Sequence, residues 1–235
     1  GICADLPELY HNGSSLIDVS DPVYTGYSNG AIRGPSIIGL SPDLNRGVLW
    51  AGGSSFSHII ERCTQYDRFH FIFASEYGYD SQLDRAVAIS IMQSLWDSVE
   101  ADTFLSLREE GYLDQVEPYE LMTLFSIADL QISNISSSRM MRTANIPILD
   151  SSTIMPYGVD VVNDSYKGSV GVFFDGGYIH APDGNEYGEE PHPAHNAIGG
   201  LKIARDMAFA FLQMEDIWDT CNGSCIFSPD DLSWS

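Results

Sequence analysis

Basic residues are scarce in this sequence, lysine above all. The 235 residues include 33 Asp and Glu against 11 Lys and Arg, for a formal net charge of −22, and lysine occurs only as Lys167 and Lys202. Nucleic-acid binding needs cationic side chains that displace counterions from phosphates, so this charge argues against a nucleic-acid partner and, for the same reason, against an anionic membrane surface. An acidic, lysine-poor surface suits saline or acidic surroundings, or serves only to keep the protein in solution.

Long hydrophobic runs are also missing. No stretch approaches the roughly 20 apolar residues needed to cross a bilayer, so we expect no membrane span. Apolar residues still make up 44% of the chain and charged residues 19%, which is a globular composition large enough for one large domain or two small ones. The first residue is Gly1, and no basic start precedes an apolar run, so we expect a mature, processed chain or a piece of one.

The cysteines are few, at positions 3, 63, 221 and 225. A turn-forming centre separates the last two, which favours a Cys221–Cys225 disulfide and leaves Cys3 to pair with Cys63. The competing zinc site would need a histidine near that pair, and none is close in sequence, so we expect neither a metal nor another cofactor. An even number of cysteines favours an extracytoplasmic or secreted protein, as do four N-x-S/T sequons, at Asn12, Asn134, Asn163 and Asn222.

Strand-like and helix-like segments alternate along the chain. Short β-prone or apolar runs lie at 21–26, 47–53, 121–127 and 168–174, and helical patterns lie at 31–40, 57–63, 81–107, 137–144 and 197–214. The pattern at 81–107 fits one long helix or two shorter ones. This alternation predicts an α/β fold, a parallel sheet covered by helices on both faces, with its chemistry at the carboxyl ends of the strands.

The segment Gly26-Tyr27-Ser28-Asn29-Gly30 has the pattern G-x-S-x-G between a β-prone run and a small-residue helix. In such an elbow a sharp turn exposes a nucleophilic serine, and the glycines on either side avoid collisions with the neighbouring backbone. Ser28 is therefore the candidate nucleophile, and the backbone N–H of Asn29 is the candidate oxyanion donor. A surface turn rich in Gly and Ser gives the same pentapeptide by chance, but the flanking strand and helix favour the elbow.

An acid is expected after a later strand. Asp129 follows the run at 121–127 and is the first choice, although a loop or helix-capping role would also explain it. Asp150 and Asp175 are the alternatives, with Asp175 better explained as a turn residue.

A histidine base is expected after the acid in the chain. His192 is the first choice and His195 the second, since both precede the last helix and a loop there reaches back over the strand ends; His180 is a third possibility. His195 could instead serve only as a cap near the N-terminus of that helix.

Several segments together resemble a family. Gly26–Ala31, then Leu40–Leu49 (L-S-P-D-L-N-R-G-V-L) and Gln93–Asp97 (Q-S-L-W-D), are similar to a group of bacterial α/β-hydrolase-fold proteins of the serine esterase and lipase type. The segment 125–131, with Asp129, is similar to the acid segment of this group, and 190–192 is similar to its D-P-H segment. Ala128, Glu190 and Ala31 stand where the family has Gly, Asp and a second Gly.

The resemblance implies the C-terminal part of an α/β-hydrolase fold over residues 1–220, with a helical cap inserted at about 55–118 and an irregular tail at 221–235. It also implies hydrolysis of a small-molecule or lipid ester through an acyl-enzyme, with Ser28, His192 and Asp129 as the triad. Only 27 residues precede Ser28, and no candidate exists for the earlier strands or for a second oxyanion donor. We therefore expect an N-terminal companion chain from the same precursor.

Two other functions are compatible with the sequence. The departures at Ala128 and Glu190 and the absent earlier strands would also suit a non-catalytic, hydrolase-like structural or binding subunit. The acidic loop Asp183–Glu190 raises the possibility of a calcium-binding module, although it lacks the spacing of an EF-hand.

Overall fold

The structure, a computed structural model, describes residues 7–16, 20–112, 118–184, 186–188, 193–213 and 217–233. A small antiparallel hairpin, β1 (Tyr10–His11) and β2 (Ser14–Ser15), precedes the main sheet. The main sheet contains β3 (Tyr24–Tyr27), β4 (Arg46–Trp50), β5 (Glu120–Ser126), β6 (Ile148–Leu149), β7 (Val161–Val162) and β8 (Val170–Phe174). Its order is β3-β4-β5-β8-β6-β7, and every neighbouring pair is parallel.

The helices in the described ranges are α1 (Asn29–Leu40), α2 (Phe56–Ile59), α3 (Tyr66–Phe71), α4 (Gln82–Trp96), α5 (Ala101–Glu109), α6 (Asn134–Thr143), α7 (Ala194–Gly200) and α8 (Lys202–Gln213). The pattern at 81–107 thus forms two helices, one of the two arrangements expected. The single helix predicted at 197–214 is wrong, because Leu201 adopts an extended conformation that ends α7 before α8 begins.

Helices cover both faces of the sheet. On one face, apolar residues of β4, β5 and β8 such as Val48, Leu124 and Val172 pack against α7 and α8. On the other face, the alternate residues, including Leu49, Phe125 and Phe173, pack against α1, α5 and α6. Strands buried on both faces explain the continuous apolar runs in the sequence. The α/β fold with a helix-covered parallel sheet is therefore confirmed.

A helical insertion connects β4 to β5. It contains α2 to α5. A small apolar cluster joins Ile59, Tyr66 and Ile89 of this insertion to Ile32 of α1 and to Ile132. Trp96 packs against Phe56 at the edge of this cluster, so it is a packing residue. The row of apolar residues that predicted α4 faces outward, at Leu83, Val87, Ile91 and Leu95. Within the described ranges, every helix is too short or too polar to span a bilayer.

The last part of the chain is held to the sheet by a disulfide-closed loop. Cys221 and Cys225 are bonded, as expected. Asp175, directly after β8, donates its N–H to the carbonyl of Cys225 and accepts the N–H of Phe227 at 2.9 Å in each case. The expected pairing of Cys63 involves Cys3, which lies outside the described residues.

Candidate functional site

The turn between β3 and α1 is a sharp bend with Ser28 at its apex. Ser28 has φ 52° and ψ −115°, a conformation that costs a non-glycine residue about 1–3 kcal/mol. Its N–H donates to the carbonyl of Trp50 at 2.9 Å, which continues the pairing of β3 with β4 up to the bend. Its carbonyl accepts the N–H groups of Ala31 and Ile32 in the first turn of α1. The backbone is thus held on both sides of a strained serine.

The two glycines of the elbow have different roles. A Cβ on Gly26 would lie 2.5 Å from the carbonyl oxygen of Gly30 and 2.7 Å from Cε1 of Tyr24, so only glycine fits there. A Cβ on Gly30 would meet nothing closer than the Tyr24 hydroxyl, at 3.8 Å. The expectation that both glycines avoid a backbone collision is therefore wrong for Gly30, because its missing side chain points into open space.

The structure brings Ser28, His195 and Asp129 into one hydrogen-bonded chain. His195 Nε2 lies 2.9 Å from Ser28 Oγ, and His195 Nδ1 lies 2.7 Å from Asp129 Oδ2. The imidazole and the carboxyl group are both buried. Because an ionised carboxylate only accepts hydrogen bonds, Nδ1 carries the proton toward Asp129 and leaves Nε2 of the neutral ring to accept the serine proton.

All three residues come from the carboxyl end of the sheet. Ser28 follows β3, Asp129 follows β5, and His195 lies in the first turn of α7, after β8 in the chain. In a parallel sheet these strand ends meet at one edge, which explains how residues far apart in sequence come together.

The loop that carries Asp129 is braced by hydrogen bonds. Asp129 Oδ1 accepts the N–H groups of Gln131 at 2.8 Å and Ile132 at 3.0 Å, which leaves Oδ2 for His195. The Asn134 amide donates to the carbonyl of Ser126 at 2.9 Å and accepts the N–H of Ala128 at 3.0 Å. Sequence reasoning identified Asn134 only as a sequon. Its place five residues after the acid, at the start of α6, was the available signal for this bracing role.

The other candidates lie elsewhere. His192, the first choice for the base, is outside the described residues. His180 is exposed on the wall of a cavity of about 440 Å³ that Arg62 and Asp129 also line. Asp175 Oδ1 accepts the N–H of Gly177 at 2.7 Å, as a turn residue does. Asp150 is exposed beyond β6, and its N–H donates to the carbonyl of Val162.

Asn29 is the first residue of α1, directly after Ser28. The first N–H groups of a helix have no acceptor within the helix, and the helix dipole favours negative charge there. The backbone N–H of Asn29 is therefore available to an anion that forms beside Ser28. Strand β3 lies at one edge of the sheet, and in the described part of the chain β4 is its only paired neighbour.

In the part of the chain that the structure describes, no group of three potential metal ligands lies at this site. Among the described residues, the potential metal ligands that lie close together are Asp219, Cys221 and Cys225. Both cysteine sulfurs are bonded to each other in the disulfide. The loop considered for calcium, Asp183–Glu190, is described only in part, without residues 185, 189 and 190.

No protein-family model matches the sequence, and no curated protein does so either. Among solved structures, the uncomplexed acylaminoacyl peptidase of Pyrococcus horikoshii is similar, with a TM-score of 0.39 and 12% sequence identity. The match covers 68% of this chain and 20% of that chain, so the chain spans about a fifth of the length of that protein.

Proposed function

We propose that this protein is a serine hydrolase of carboxylic esters, with Ser28 as nucleophile, His195 as general base and acid, and Asp129 as the group that orients the imidazole. One observation carries the proposal: a serine with positive φ, at the end of a parallel strand, is joined to a buried histidine and carboxylate by hydrogen bonds of 2.9 and 2.7 Å. This is the arrangement that acyl transfer through a serine requires.

The reaction follows from these positions. Ser28 Oγ attacks the ester carbonyl carbon while its proton passes to His195 Nε2, and the carbonyl oxygen gains negative charge beside the N–H of Asn29. The bond to the alcohol then breaks, and His195 returns the proton to the leaving alkoxide. Water attacks the acyl carbon while His195 Nε2 takes one of its protons. The bond to Ser28 Oγ then breaks, His195 returns that proton to Oγ, and the carboxylic acid leaves.

His195 replaces His192 as the proposed base. His195 Nε2 is within hydrogen-bond distance of Ser28, and Asp129 fixes the tautomer of the ring. We expect His195→Asn to abolish labelling by a fluorophosphonate and turnover of p-nitrophenyl esters, and His192→Asn to retain both. The reverse result would assign the base to His192.

Ser28→Ala tests the nucleophile directly. We expect it to abolish fluorophosphonate labelling and ester turnover, detected by mass spectrometry of the intact chain and by nitrophenolate release. Ser55→Ala is a matched control, because Ser55 also has positive φ, at 66°, and a histidine partner, His58 Nδ1 at 3.0 Å, yet is 1% exposed. Labelling that survives in Ser28→Ala contradicts the proposal.

We also propose that an N-terminal companion from the same precursor pairs with the outer side of β3 and supplies the second oxyanion donor. Two features support this: β3 is an edge strand, which is a template for pairing, and it leads directly to Ser28. Restoring a missing oxyanion donor is worth on the order of 10²–10³ in rate. We expect native preparations to contain both chains by mass spectrometry; an active, monomeric preparation of this chain alone would contradict the companion.

A non-catalytic subunit is the alternative outcome of these tests. It predicts that a folded preparation containing both chains is not labelled by a fluorophosphonate and does not hydrolyse ester.

The disulfide supports an extracytoplasmic location, because such bonds persist in oxidising compartments. Fractionation of the source cells, followed by detection of the chain, tests that location.

A further inference from the structure

Tyr27, the residue before Ser28, contacts His195 at two points. Its hydroxyl donates to the main-chain carbonyl of His195 at 2.5 Å. Its ring meets the imidazole nearly at a right angle, at 81°, with the ring centres 5.8 Å apart. The backbone of Tyr27 is at the same time paired with Trp50 in the sheet. One side chain therefore links the rigid strand that carries Ser28 to the helix that carries His195.

The fit between this ring and α7 depends on Gly199. Gly199 lies one helical turn after His195, and a Cβ there would be 2.9 Å from Cε2 of Tyr27, closer than nearly all real contacts of this kind. Any larger residue at this position would therefore force the tyrosine ring or α7 to shift. Burial raises the pKa of the Tyr27 hydroxyl, a hydrogen bond with the backbone of Gly199 opposes this in part, and the Asp129 carboxylate adds to the rise. The phenol therefore stays protonated and keeps its donor.

We propose that Tyr27 is a positioning residue that fixes the distance between His195 Nε2 and Ser28 Oγ. The inference rests on the proposed function. Helix α7 has 7 residues, too few for a helix to hold its place without tertiary contacts. Packing of Ala197 and Ile198 holds α7 to the sheet, but apolar packing is not directional, and the bond from Nδ1 to Asp129 orients only the ring. The bond from Tyr27 to the carbonyl adds a directed tie at the main chain of His195, because its other end is anchored in the sheet.

The test uses Tyr27→Phe, which keeps the ring and removes the hydroxyl. The measurement is the concentration dependence of fluorophosphonate labelling, which separates affinity from the rate of acylation. We expect the acylation rate at saturation to fall about fivefold, the equivalent of one neutral hydrogen bond, with the concentration for half-saturation unchanged. The low-field proton NMR signal of a histidine N–H bonded to a carboxylate should also shift or broaden.

Tyr119→Phe is the matched control. Its hydroxyl also donates to a main-chain carbonyl, that of Ala144 at 3.4 Å, but at the opposite end of the sheet. We expect native acylation for this variant. Gly199→Ala disturbs the same contact from the helix side and should lower the acylation rate while secondary structure, followed by circular dichroism, is retained.

The outcomes separate this inference from the proposed function. If Tyr27→Phe acylates within about threefold of the native rate, or changes only affinity, the positioning role is wrong. If labelling survives in Ser28→Ala, the proposed function fails and the role of Tyr27 fails with it. Loss of labelling in Ser28→Ala together with slow acylation in Tyr27→Phe supports both.

Discussion

The geometry at Ser28 depends on how closely two segments of backbone approach each other. At Gly26 the start of α1 lies against β3, and a methyl group there would be 2.5 Å from the Gly30 carbonyl oxygen. Gly26→Ala should therefore displace Ser28, destabilise the protein by about 1–3 kcal/mol and abolish fluorophosphonate labelling.

Gly30→Ala is the matched comparison for that change. Its added methyl would meet nothing closer than 3.8 Å, and because Gly30 lies in α1 the helix should gain about 0.5–1 kcal/mol. We expect native labelling and a slightly higher unfolding midpoint in urea. Equal damage from the two substitutions would show that the elbow needs glycine for another reason.

Ala128 has a left-handed backbone next to the proposed acid. Its φ is 60°, which costs alanine about 1–2 kcal/mol, and the position is buried. Ala128→Gly should remove that strain but lose about 0.8 kcal/mol of buried methyl and up to about 1 kcal/mol through the more flexible unfolded chain. We expect its free energy of unfolding to change by less than about 1 kcal/mol.

Ala128→Val should instead lose more than about 2 kcal/mol, because a β-branched residue is strained at positive φ and the site is packed. Urea unfolding of the two variants measures the difference. Equal losses in the two variants would contradict backbone strain at positive φ as the cause of the difference.

Residue types, strand ends and the family resemblance pointed to Ser28 and Asp129 as candidates, and His195 lies within hydrogen-bond distance of both. The choice between His192 and His195 could not be made from the sequence. It depends on where α7 begins relative to the strand ends, which puts His195 in its first turn beside Ser28, and no local pattern specifies that. Tyr27 and Asn134 were missed because their contacts are with main-chain atoms, which residue identity does not reveal.

Among the elements, buried strands and long helices were predicted from continuous apolar runs and helical spacing. Strands β6 and β7 were missed, since each has only 2 residues and such a short strand leaves no periodicity to detect. The apolar row on α4 predicted a helix, yet most of that row is exposed. Periodicity thus identified the helix but could not show whether its apolar face is covered.

The start of α5 contains a buried carboxyl group. Asp102 is 1% exposed. Burial raises the pKa of this carboxyl above its usual value, the Glu100 carboxylate raises it further, and Ser54 and Arg139 oppose the change in part. A carboxyl group whose pKa is higher in the folded state than in the unfolded state lowers the free energy of unfolding when it ionises. This loss of stability is present at neutral pH and disappears as the pH falls below about 4.

Asp102→Asn, which cannot ionise, should therefore raise the free energy of unfolding at pH 7 and lose that advantage toward pH 3.5. Denaturant titrations at several pH values measure the difference between the variant and the native chain. Asp84→Asn is the control, since Asp84 lies exposed in the first turn of α4 and should give no gain at pH 7. A stabilisation of Asp102→Asn that does not depend on pH would contradict ionisation as the cause.

For the whole molecule, the charge of −22 opposes the compact state, because the folded chain holds its carboxylates closer together than the unfolded chain does. Salt screens this repulsion, with a Debye length of about 10 Å at 0.1 M and about 3 Å at 1 M. We therefore expect the thermal midpoint at pH 7 to rise steadily with sodium chloride over that range.

The control is the same titration near the sequence pI of 4.2, where the net charge is close to zero and salt should have little effect on the thermal midpoint. An equal rise at both pH values would mean that salt acts through hydrophobic burial, and a fall at pH 7 would mean that attractive ion pairs outweigh the repulsion despite the scarcity of lysine and arginine.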